Sequence, residues 1–381
     1  MPLPSPDPHA LAHSEHLRDR MRQEIRAAGG WISFARYMEL ALYAPGLGYY
    51  SGGAHKFGAA GDFVTAPELS PLFARSLAGQ AQEILAAGGP DILEVGAGSG
   101  ALAAALLPEL ERRGAPPRRY AILELSGELR QRQEQRLRAA APQLLARVEW
   151  LDRLPSAFSG LVLANELLDA MPVHLVAWRE DGIHERGVAL DAAGAFRWQE
   201  RPAEGAVLAA AANLPVGAPY VSEINLAARA WVAEWGRILQ SGALLLIDYG
   251  FPRREYYHPQ RASGTLMCHY RHHAHDDPFH LPGLTDITAH VDFTALAEAG
   301  HAAGFQVLGY TSQAQFLLNC GIVDLLGAPG AEAAAHARLA AGVQKLLSPS
   351  EMGELFKVLA LGKGLAAPLL GFRRGDRLHA L

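Results

Sequence analysis

The segment Ile92-Leu93-Glu94-Val95-Gly96-Ala97-Gly98-Ser99-Gly100 decides the fold of this 381-residue chain. Its apolar start, from Asp91 to Val95, is typical of a buried parallel strand, and residues 101–107 predict the beginning of a helix. Three glycines at alternate positions form the turn between them, where missing Cβ atoms let a ligand approach the backbone. The pattern predicts a loop that binds a nucleoside cofactor.

Two cofactors remain open for this loop. Gly96, Gly98 and Ala101 satisfy the relaxed dinucleotide fingerprint, in which the amino terminus of the helix carries the pyrophosphate of NAD. Glu94, however, lies two residues before the first glycine, and Gly100 completes an E-x-G-x-G-x-G pattern. A carboxylate beside the turn attracts the sulfonium and ammonium groups of S-adenosylmethionine (SAM) and repels a pyrophosphate. The loop therefore favours SAM over NAD, and a turn that binds no ligand is the third interpretation.

Composition narrows the class of protein. The chain is 50% hydrophobic and 19% charged, as in an ordinary globular protein that buries about three quarters of its unfolded surface. A formal net charge of −5 provides no global basic field, which argues against nucleic acid as a partner. Cys268 and Cys320 form no C-x-x-C motif, so we expect neither a disulfide framework nor a cysteine-rich zinc module.

The amino-terminal residues indicate a cellular location. The first ten residues, MPLPSPDPHA, lack the apolar core of a secretory signal. The arginines of residues 11–28 are interleaved with acidic residues, unlike those of a transit peptide. Because no run of about 18 apolar residues occurs, we expect no integral membrane segment. Together these features predict a cytoplasmic protein.

Alternating helices and strands predict an α/β fold, a doubly wound parallel sheet with helices on both faces. We expect helices at residues 11–28, 33–43, 70–87, 127–139, 292–303 and 331–341. We expect strands at residues 91–95, 120–125, 148–151, 160–164, 243–248, 306–310 and 356–361. Between Pro172 and Pro219, short runs separated by Asp181-Gly182 and Ala193-Gly194 predict an antiparallel β insertion.

These elements predict two domains. Residues 1–88 form a helical and loop cap over the cofactor. Residues 89–381 form a Rossmann-like core that binds SAM, with insertions at about residues 172–220 and 251–290.

Glu124 lies at the end of the second predicted strand, where a doubly wound sheet binds its ligand. A carboxylate at this position can accept both ribose hydroxyls of either cofactor. The adjacent Leu125 is expected to line the same cofactor site. The alternative is a surface carboxylate at a strand end.

A further polar group follows the fourth strand at Asn165, Glu166 and Asp169. These side chains are expected to lie over the ligand crevice, since few core roles require them there. Structural roles are the alternative, because Asn165 could cap the following turn and Asp169 could pair with an arginine. The fifth strand likewise ends in an acid and a glycine, at Asp248-Tyr249-Gly250.

Motifs beyond the glycine loop closely resemble those of the MidA-type SAM-dependent methyltransferases over nearly the whole chain. They are Phe34-x-x-Tyr37-Met38, Tyr43-x-Pro45, Gly48-Tyr49-Tyr50, Gly61-Asp62-Phe63-x-Thr65-x-Pro67-Glu68-x-Ser70, Asn165-Glu166-Leu167-Leu168-Asp169-Ala170, Ile247-Asp248-Tyr249-Gly250, Glu255-Tyr256-Tyr257, Gly264-Thr265-Leu266, Asp286-Ile287-Thr288-x-His290-Val291-Asp292-Phe293 and Met352-Gly353-x-Leu355-Phe356-Lys357-Val358. The resemblance implies a class I methyltransferase fold and decides the cofactor in favour of SAM.

The resemblance also implies roles for particular residues. A methionine-binding loop is implied at Glu94, Gly96, Ala97, Gly98 and Gly100, and a ribose acceptor at Glu124. Asn165 and Glu166 resemble residues that border the methyl group and the acceptor. An amino-terminal loop that folds over SAM is implied at Gly61, Asp62, Thr65 and Pro67.

Mitochondrial members of the family are assembly factors of respiratory complex I, understood to dimethylate an arginine symmetrically on a core subunit. The resemblance therefore implies a protein substrate, with a complex I subunit as the candidate. An arginine acceptor is protonated in water, so carboxylates must hold and polarise its guanidinium. Glu166, Asp169 and Asp62 are the predicted catalytic residues, with Glu68 behind them. Two rival hypotheses are a SAM-binding assembly chaperone without turnover and an NAD-dependent oxidoreductase.

Two groups of residues have more than one interpretation. His290 and Asp292 could act in catalysis, or they could be a structural histidine and a helix cap. A second group has the composition of a metal site: Cys268, His269, His272, His273, His275, Asp276, Asp277 and His280. Because its spacing matches no zinc pattern and methyl transfer needs no metal, we predict a polar loop and no metal.

Overall fold

Strand β2 (Asp91–Val95) has the bounds that the sequence predicts and is buried along its whole length. It belongs to a computed structural model that describes residues 3–52, 64–327 and 333–381. The helices are α1 (Pro8–Ala27), α2 (Phe34–Tyr43), α3 (Ala66–Leu69), α4 (Pro71–Gly88), α5 (Ala101–Arg112), α6 (Gly127–Ala140), α7 (Gly205–Ala211), α8 (Leu226–Ile238), α9 (Arg253–Tyr256), α10 (Phe293–Ala302), α11 (Gln313–Asn319), α12 (Ile322–Leu326) and α13 (Ala333–Leu347). The other strands are β1 (Trp31–Ser33), β3 (Arg119–Leu123), β4 (Val148–Leu151), β5 (Phe158–Asn165), β6 (His174–Arg179), β7 (Gly182–Leu190), β8 (Phe196–Pro202), β9 (Tyr220–Ile224), β10 (Leu239–Phe251), β11 (Met267–Tyr270), β12 (His273–His275), β13 (Asp286–Thr288), β14 (Val291–Asp292), β15 (Gln306–Ser312) and β16 (Phe356–Lys363).

The chain forms two units, each assembled from three stretches of sequence. The core unit consists of Val64–Leu168, Ala230–Pro252 and Phe293–Leu381. The accessory unit consists of Met1–Phe63, Asp169–Arg229 and Arg253–Asp292, so it contains most of both predicted insertions. The domain boundary at residue 88 stays a prediction.

The core unit is built on a sheet in the order β15-β16-β10-β5-β2-β3-β4. The five strands from β10 to β4 are parallel, as predicted. Their apolar side chains pack on α4 and α5, which explains why these strands have continuous apolar sequences. Ser70 accepts a hydrogen bond from the backbone N–H of Leu72 and Ser126 one from that of Leu129, so serine side chains cap α4 and α6.

Strand β16 is an exception to the predicted parallel arrangement, because it runs antiparallel to both β10 and β15. The register explains the direction. Ser312, the last residue of β15, pairs with Lys357 near the start of β16. The chain between them therefore returns to the edge of the sheet that it left, and the next strand must run in the opposite direction.

The accessory unit contains the predicted antiparallel insertion. Strands β1, β7, β6 and β9 form a sheet in that order, with β8 paired to β7. The two predicted turns join β6 to β7 and β7 to β8. Helices α1 and α2 contribute Leu17, Met21 and Phe34 to the hydrophobic core of this unit, with Val188 of β7. Among the described residues, no helix has the length and apolar character that crossing a membrane requires.

Candidate cofactor and active site

The glycine loop between β2 and α5 has a backbone conformation that residues other than glycine rarely adopt. Gly96, Gly98 and Gly100 have φ values of 69°, 52° and 80°. A Cβ atom at Gly100 would lie 3.1 Å from the Cα atom of Gln133. Gly100 also precedes α5 without a side-chain cap, so the helix start is formed by backbone groups alone. The positive φ values and the close approach of Gln133 explain why this loop requires glycine.

Glu94 lies beside the loop, but its carboxyl is not on an open rim. The residue is only 3% exposed, and one carboxylate oxygen accepts a hydrogen bond of 2.6 Å from the Tyr120 hydroxyl. Burial raises the pKa of Glu94 to about 7, and the negative charge of Glu124 adds to this effect. A positively charged ligand nearby would favour the ionised form.

Glu124 follows β3 at the carboxyl edge of the sheet and is nearly buried. Its carboxylate accepts hydrogen bonds from the Ser126 backbone N–H (2.9 Å) and from Nε2 of Gln133 (3.1 Å). Burial raises the pKa of Glu124. The adjacent Leu125 is 79% exposed, which is unusual for a large apolar side chain. A carboxylate beside an exposed apolar surface suits a nucleoside, with hydroxyl donors on one side and a flat base on the other.

The turn after β5 has a strained backbone at Glu166, where φ is 51°. Its backbone N–H donates to the carbonyl of Ile247. Asp248, which is fully buried, accepts a hydrogen bond of 2.8 Å from the backbone N–H of Leu168. Asp248 therefore holds this turn in place, although the sequence suggested a residue that faces the crevice.

The Glu166 carboxylate is held from two sides. One oxygen accepts hydrogen bonds from the backbone N–H of Ala66 and from Nδ2 of Asn165, both at 3.1 Å. This contact orients the Asn165 amide, whose Oδ1 is buried and has no hydrogen-bond partner among the described residues. A buried acceptor of this kind suits a donor on a ligand.

The segment around α3 reaches the glycine loop through Glu68. Arg136 of α6 donates to the Glu68 carboxylate at 2.6 Å, and the Ser99 hydroxyl donates to the same oxygen. Sequence reasoning placed Glu68 behind the catalytic carboxylates, whereas the structure pairs it with Arg136. Thr65 precedes α3 and Pro67 lies in its first turn. Gly61 and Asp62 lie outside the described residues.

Asp169, another predicted catalytic carboxylate, is the first residue of the second stretch of the accessory unit. It is 6% exposed, and its backbone carbonyl accepts from the N–H of Ala289. Asp292 lies 3.7 Å from Arg253, in an ion pair. The backbone N–H of His290 donates to the hydroxyl of Thr265.

Two motifs of the accessory unit, Glu255-Tyr256-Tyr257 and Gly264-Thr265-Leu266, meet at Glu223, a residue that the sequence analysis did not single out. Its carboxylate is 1% exposed and accepts from the backbone N–H groups of Thr265 and Leu266 and from the hydroxyls of Thr265 and Tyr256. A Cβ atom at Gly264 would lie 2.3 Å from Glu223 Oε1. The Gly264-Thr265-Leu266 motif is thus explained by the buried carboxylate that it encloses. An acidic residue inside an apolar strand was the available signal.

The histidine-rich segment forms the β11–β12 hairpin and the loop that follows it. Within the described ranges, no three His, Cys, Asp or Glu side chains are grouped so that they could hold a metal ion.

The residues of the core unit fit SAM better than NAD. Glu94 lies within β2, and Glu124 and Glu166 follow the neighbouring strands β3 and β5, so three carboxylates are available for a cationic ligand. The unpartnered Asn165 oxygen and the exposed Leu125 suit an ammonium donor and an adenine ring. Arg136, the cation bonded to this loop, is already paired with Glu68.

Fold and site together define a class I SAM-dependent methyltransferase. Residues 72–311 match the family of S-adenosyl-L-methionine-dependent methyltransferases, and the chain belongs to this family. The cofactor prediction is confirmed, and the NAD-dependent oxidoreductase is set aside.

Named relatives support the same assignment. The mitochondrial protein arginine methyltransferase NDUFAF7 of Danio rerio is 30% identical over 376 residues, which cover 88% of this chain and 84% of that protein. Its counterpart from Mus musculus is 30% identical over 366 residues, covering 87% and 81%. A Burkholderia thailandensis protein, whose crystal structure contains bound S-adenosyl-homocysteine (SAH), is 55% identical to this chain. The match covers 100% of both chains, with a TM-score of 0.96.

Proposed function

We propose that this methyltransferase is a protein arginine N-methyltransferase that dimethylates an arginine symmetrically, with a respiratory complex I subunit as its substrate. The relatives named above are protein arginine methyltransferases, which supports an arginine acceptor. The observation that carries the proposal is the left-handed backbone conformation of Glu166, in the turn that follows β5. A glutamate with this backbone costs about 1–2 kcal/mol, and strain of this kind concentrates at functional sites.

In the proposed site, the carboxylate of Glu166 contacts the guanidinium of the acceptor. A guanidinium has a pKa above about 12 and offers donors in a planar fork. A fixed carboxylate can therefore align it and draw its positive charge away from the attacking nitrogen. The hydrogen bonds from Ala66 and Asn165 fix the carboxylate before the acceptor arrives. Asp169, and Asp62 outside the described residues, are proposed as further carboxylates for the acceptor.

SAM, when bound, supplies a methyl group on a positively charged sulfur. We propose that its methionine part is held by the glycine loop (Glu94, Gly96, Ala97, Gly98 and Gly100) and by Asn165. Its nucleoside would be held by Glu124 and Leu125. Gly61, Thr65 and Pro67 are proposed to cover it from the amino-terminal side.

The test is the substitution Glu166→Gln, which keeps size and one acceptor oxygen but removes the charge. We expect methyl transfer from labelled SAM to a candidate quinone-oxidoreductase subunit to fall at least about a hundredfold. The affinity for SAH, measured by calorimetry, should change by less than about threefold. Glu128→Gln, at a partly exposed position on α6, is the matched control. Full methylation by Glu166→Gln with unchanged SAH affinity would refute the assigned role.

Two further measurements separate the alternatives. Mass spectrometry of the product should identify symmetric dimethylarginine. Binding of the subunit without any transfer of label would instead support the assembly chaperone. Glu166→Gly should abolish transfer, because it removes the carboxylate.

A further inference from the structure

Gln133 of α6 connects two parts of the cofactor site. Its side chain is fully buried. Nε2 donates to the backbone carbonyl of Gly98 at 2.9 Å and to Glu124 Oε2 at 3.1 Å. Oε1 accepts a hydrogen bond of 2.9 Å from Nε1 of Trp150 in β4. Both ends of the amide are therefore engaged, and one amide group joins the glycine loop to the carboxylate after β3.

Trp150 determines which way the amide points. An indole N–H can only donate, so the atom that it meets on Gln133 must be the oxygen. The NH₂ group is then directed at the Gly98 carbonyl and at Glu124, which both accept. In the reversed orientation, the amide oxygen would face two acceptors and the NH₂ group would face a donor, so all three hydrogen bonds would be lost.

The next turn of α6 strengthens this arrangement. Arg136, three residues after Gln133, donates to Glu68 and contacts the Ser99 hydroxyl. Residues three apart on a helix share a face. One face of α6 thus holds two consecutive residues of the glycine loop, Gly98 through Gln133 and Ser99 through Arg136.

We propose that Gln133 is a positioning residue for SAM, which holds Glu124 and the glycine loop at the spacing that the nucleoside requires, and that Trp150 sets its orientation. This inference rests on the proposed role of Glu124 as the ribose acceptor. Arg130, which donates to the backbone carbonyl of Glu124, and Glu94 are the charged neighbours of that carboxylate.

The experiment compares the affinities of SAH and of its analogues without the 2′- or the 3′-hydroxyl, measured by calorimetry. We expect Gln133→Leu to weaken SAH binding about tenfold or more, because the hydrogen bond to a charged group is lost. It should weaken binding of the deoxy analogues much less, so the preference for the ribose hydroxyls shrinks. Trp150→Phe, which removes only the indole donor, should reduce the same preference by a smaller factor. Gln131→Leu, at an exposed position of the same helix, should change nothing.

Equal loss of affinity for SAH and both analogues in Gln133→Leu would indicate a merely structural role and overturn the inference. Unchanged discrimination in both Gln133→Leu and Trp150→Phe would also overturn it. The variant Glu124→Gln separates this failure from that of the proposed site. If Glu124→Gln loses the preference and Gln133→Leu keeps it, only the inference is wrong. If Glu124→Gln keeps the preference, the ribose assignment itself is wrong, and the inference falls with it.

Discussion

Replacing Glu94 by glutamine should stabilise the ligand-free protein at pH 8 and weaken its binding of SAH. The carboxyl of Glu94 is buried beside the glycine loop, and burial raises its pKa from 4.5 to about 7. The folded chain therefore holds this proton more tightly than the unfolded chain does. The stabilising contribution of the protonated carboxyl is complete below pH 4.5 and is lost as the pH rises through 7. Above pH 7 the folded protein carries the full cost of a buried negative charge.

The size of the effect follows from the shift in pKa. A pKa raised by about 2.5 corresponds to about 3–3.5 kcal/mol, at about 1.4 kcal/mol per unit of pKa. Glutamine stays neutral at every pH and keeps an oxygen that can accept from the Tyr120 hydroxyl. At pH 8 Glu94→Gln should therefore gain up to about 3 kcal/mol relative to the native chain, and near pH 4.5 this gain should vanish.

Urea denaturation at pH 5 and pH 8 measures this difference in the free energy of unfolding, with Glu128→Gln as the control on α6. Calorimetry at pH 8 should show weaker binding of SAH by Glu94→Gln, because the attraction of the carboxylate for the ligand ammonium is lost. If the stability of Glu94→Gln relative to the native chain is the same at both pH values, Glu94 does not titrate as described. The interpretation of Glu94 as a buried carboxyl whose ionisation destabilises the ligand-free protein would then be refuted.

Three further substitutions test the local geometry. Gly100→Ala should lower the unfolding free energy by about 1–3 kcal/mol, because alanine is strained at φ 80° and its Cβ would lie 3.1 Å from the Cα of Gln133; thermal unfolding measures this loss. Glu223→Gln should cost about 2 kcal/mol or more in urea denaturation, because an NH₂ group would face hydrogen-bond donors; a cost below about 0.5 kcal/mol would contradict the network. Burial disfavours the ionised carboxylate of Glu109, but hydrogen bonds from three arginines outweigh this effect and lower its pKa to about 2. The ionised carboxylate therefore stabilises the fold above pH 4.5, and this stabilisation disappears as the pH falls through 2. The loss of unfolding free energy in Glu109→Gln, measured by urea denaturation, should shrink over that range.

Local patterns were sufficient for most elements of the fold. The apolar run 91–95 and the turn residues Asp181-Gly182 predicted β2 and the β6–β7 hairpin, because burial and turn chemistry act over neighbouring residues. The direction of β16 was not predictable in this way. Its apolar residues fit either direction, and the choice depends on the edge to which the chain returns after β15.

The candidate site shows the same division. The glycines and the acid of the loop are recognisable because their spacing is local. Gln133 and Trp150 are not, since their contact requires α6 to pack beside β4. A weak signal did exist, because Gln133 lies four residues before Leu137, on the buried face of α6. A polar residue in an apolar stripe needs hydrogen-bond partners, and here those partners belong to the proposed cofactor site.

Burial of the Glu94 and Glu124 carboxylates should make the proposed site prefer SAM over SAH. Burial raises the pKa of both Glu94 and Glu124, and the negative charge of Glu124 raises the pKa of Glu94 further, so both carboxyls resist ionisation in the ligand-free protein. A bound cation favours the ionised carboxylates, and this attraction adds to its binding free energy. SAM carries a positive sulfur, whereas the sulfur of SAH is neutral after the methyl group has left. If Glu94 and Glu124 hold the cofactor as proposed, they should attract the methyl donor more strongly than the product, which favours replacement of the spent cofactor by a fresh one.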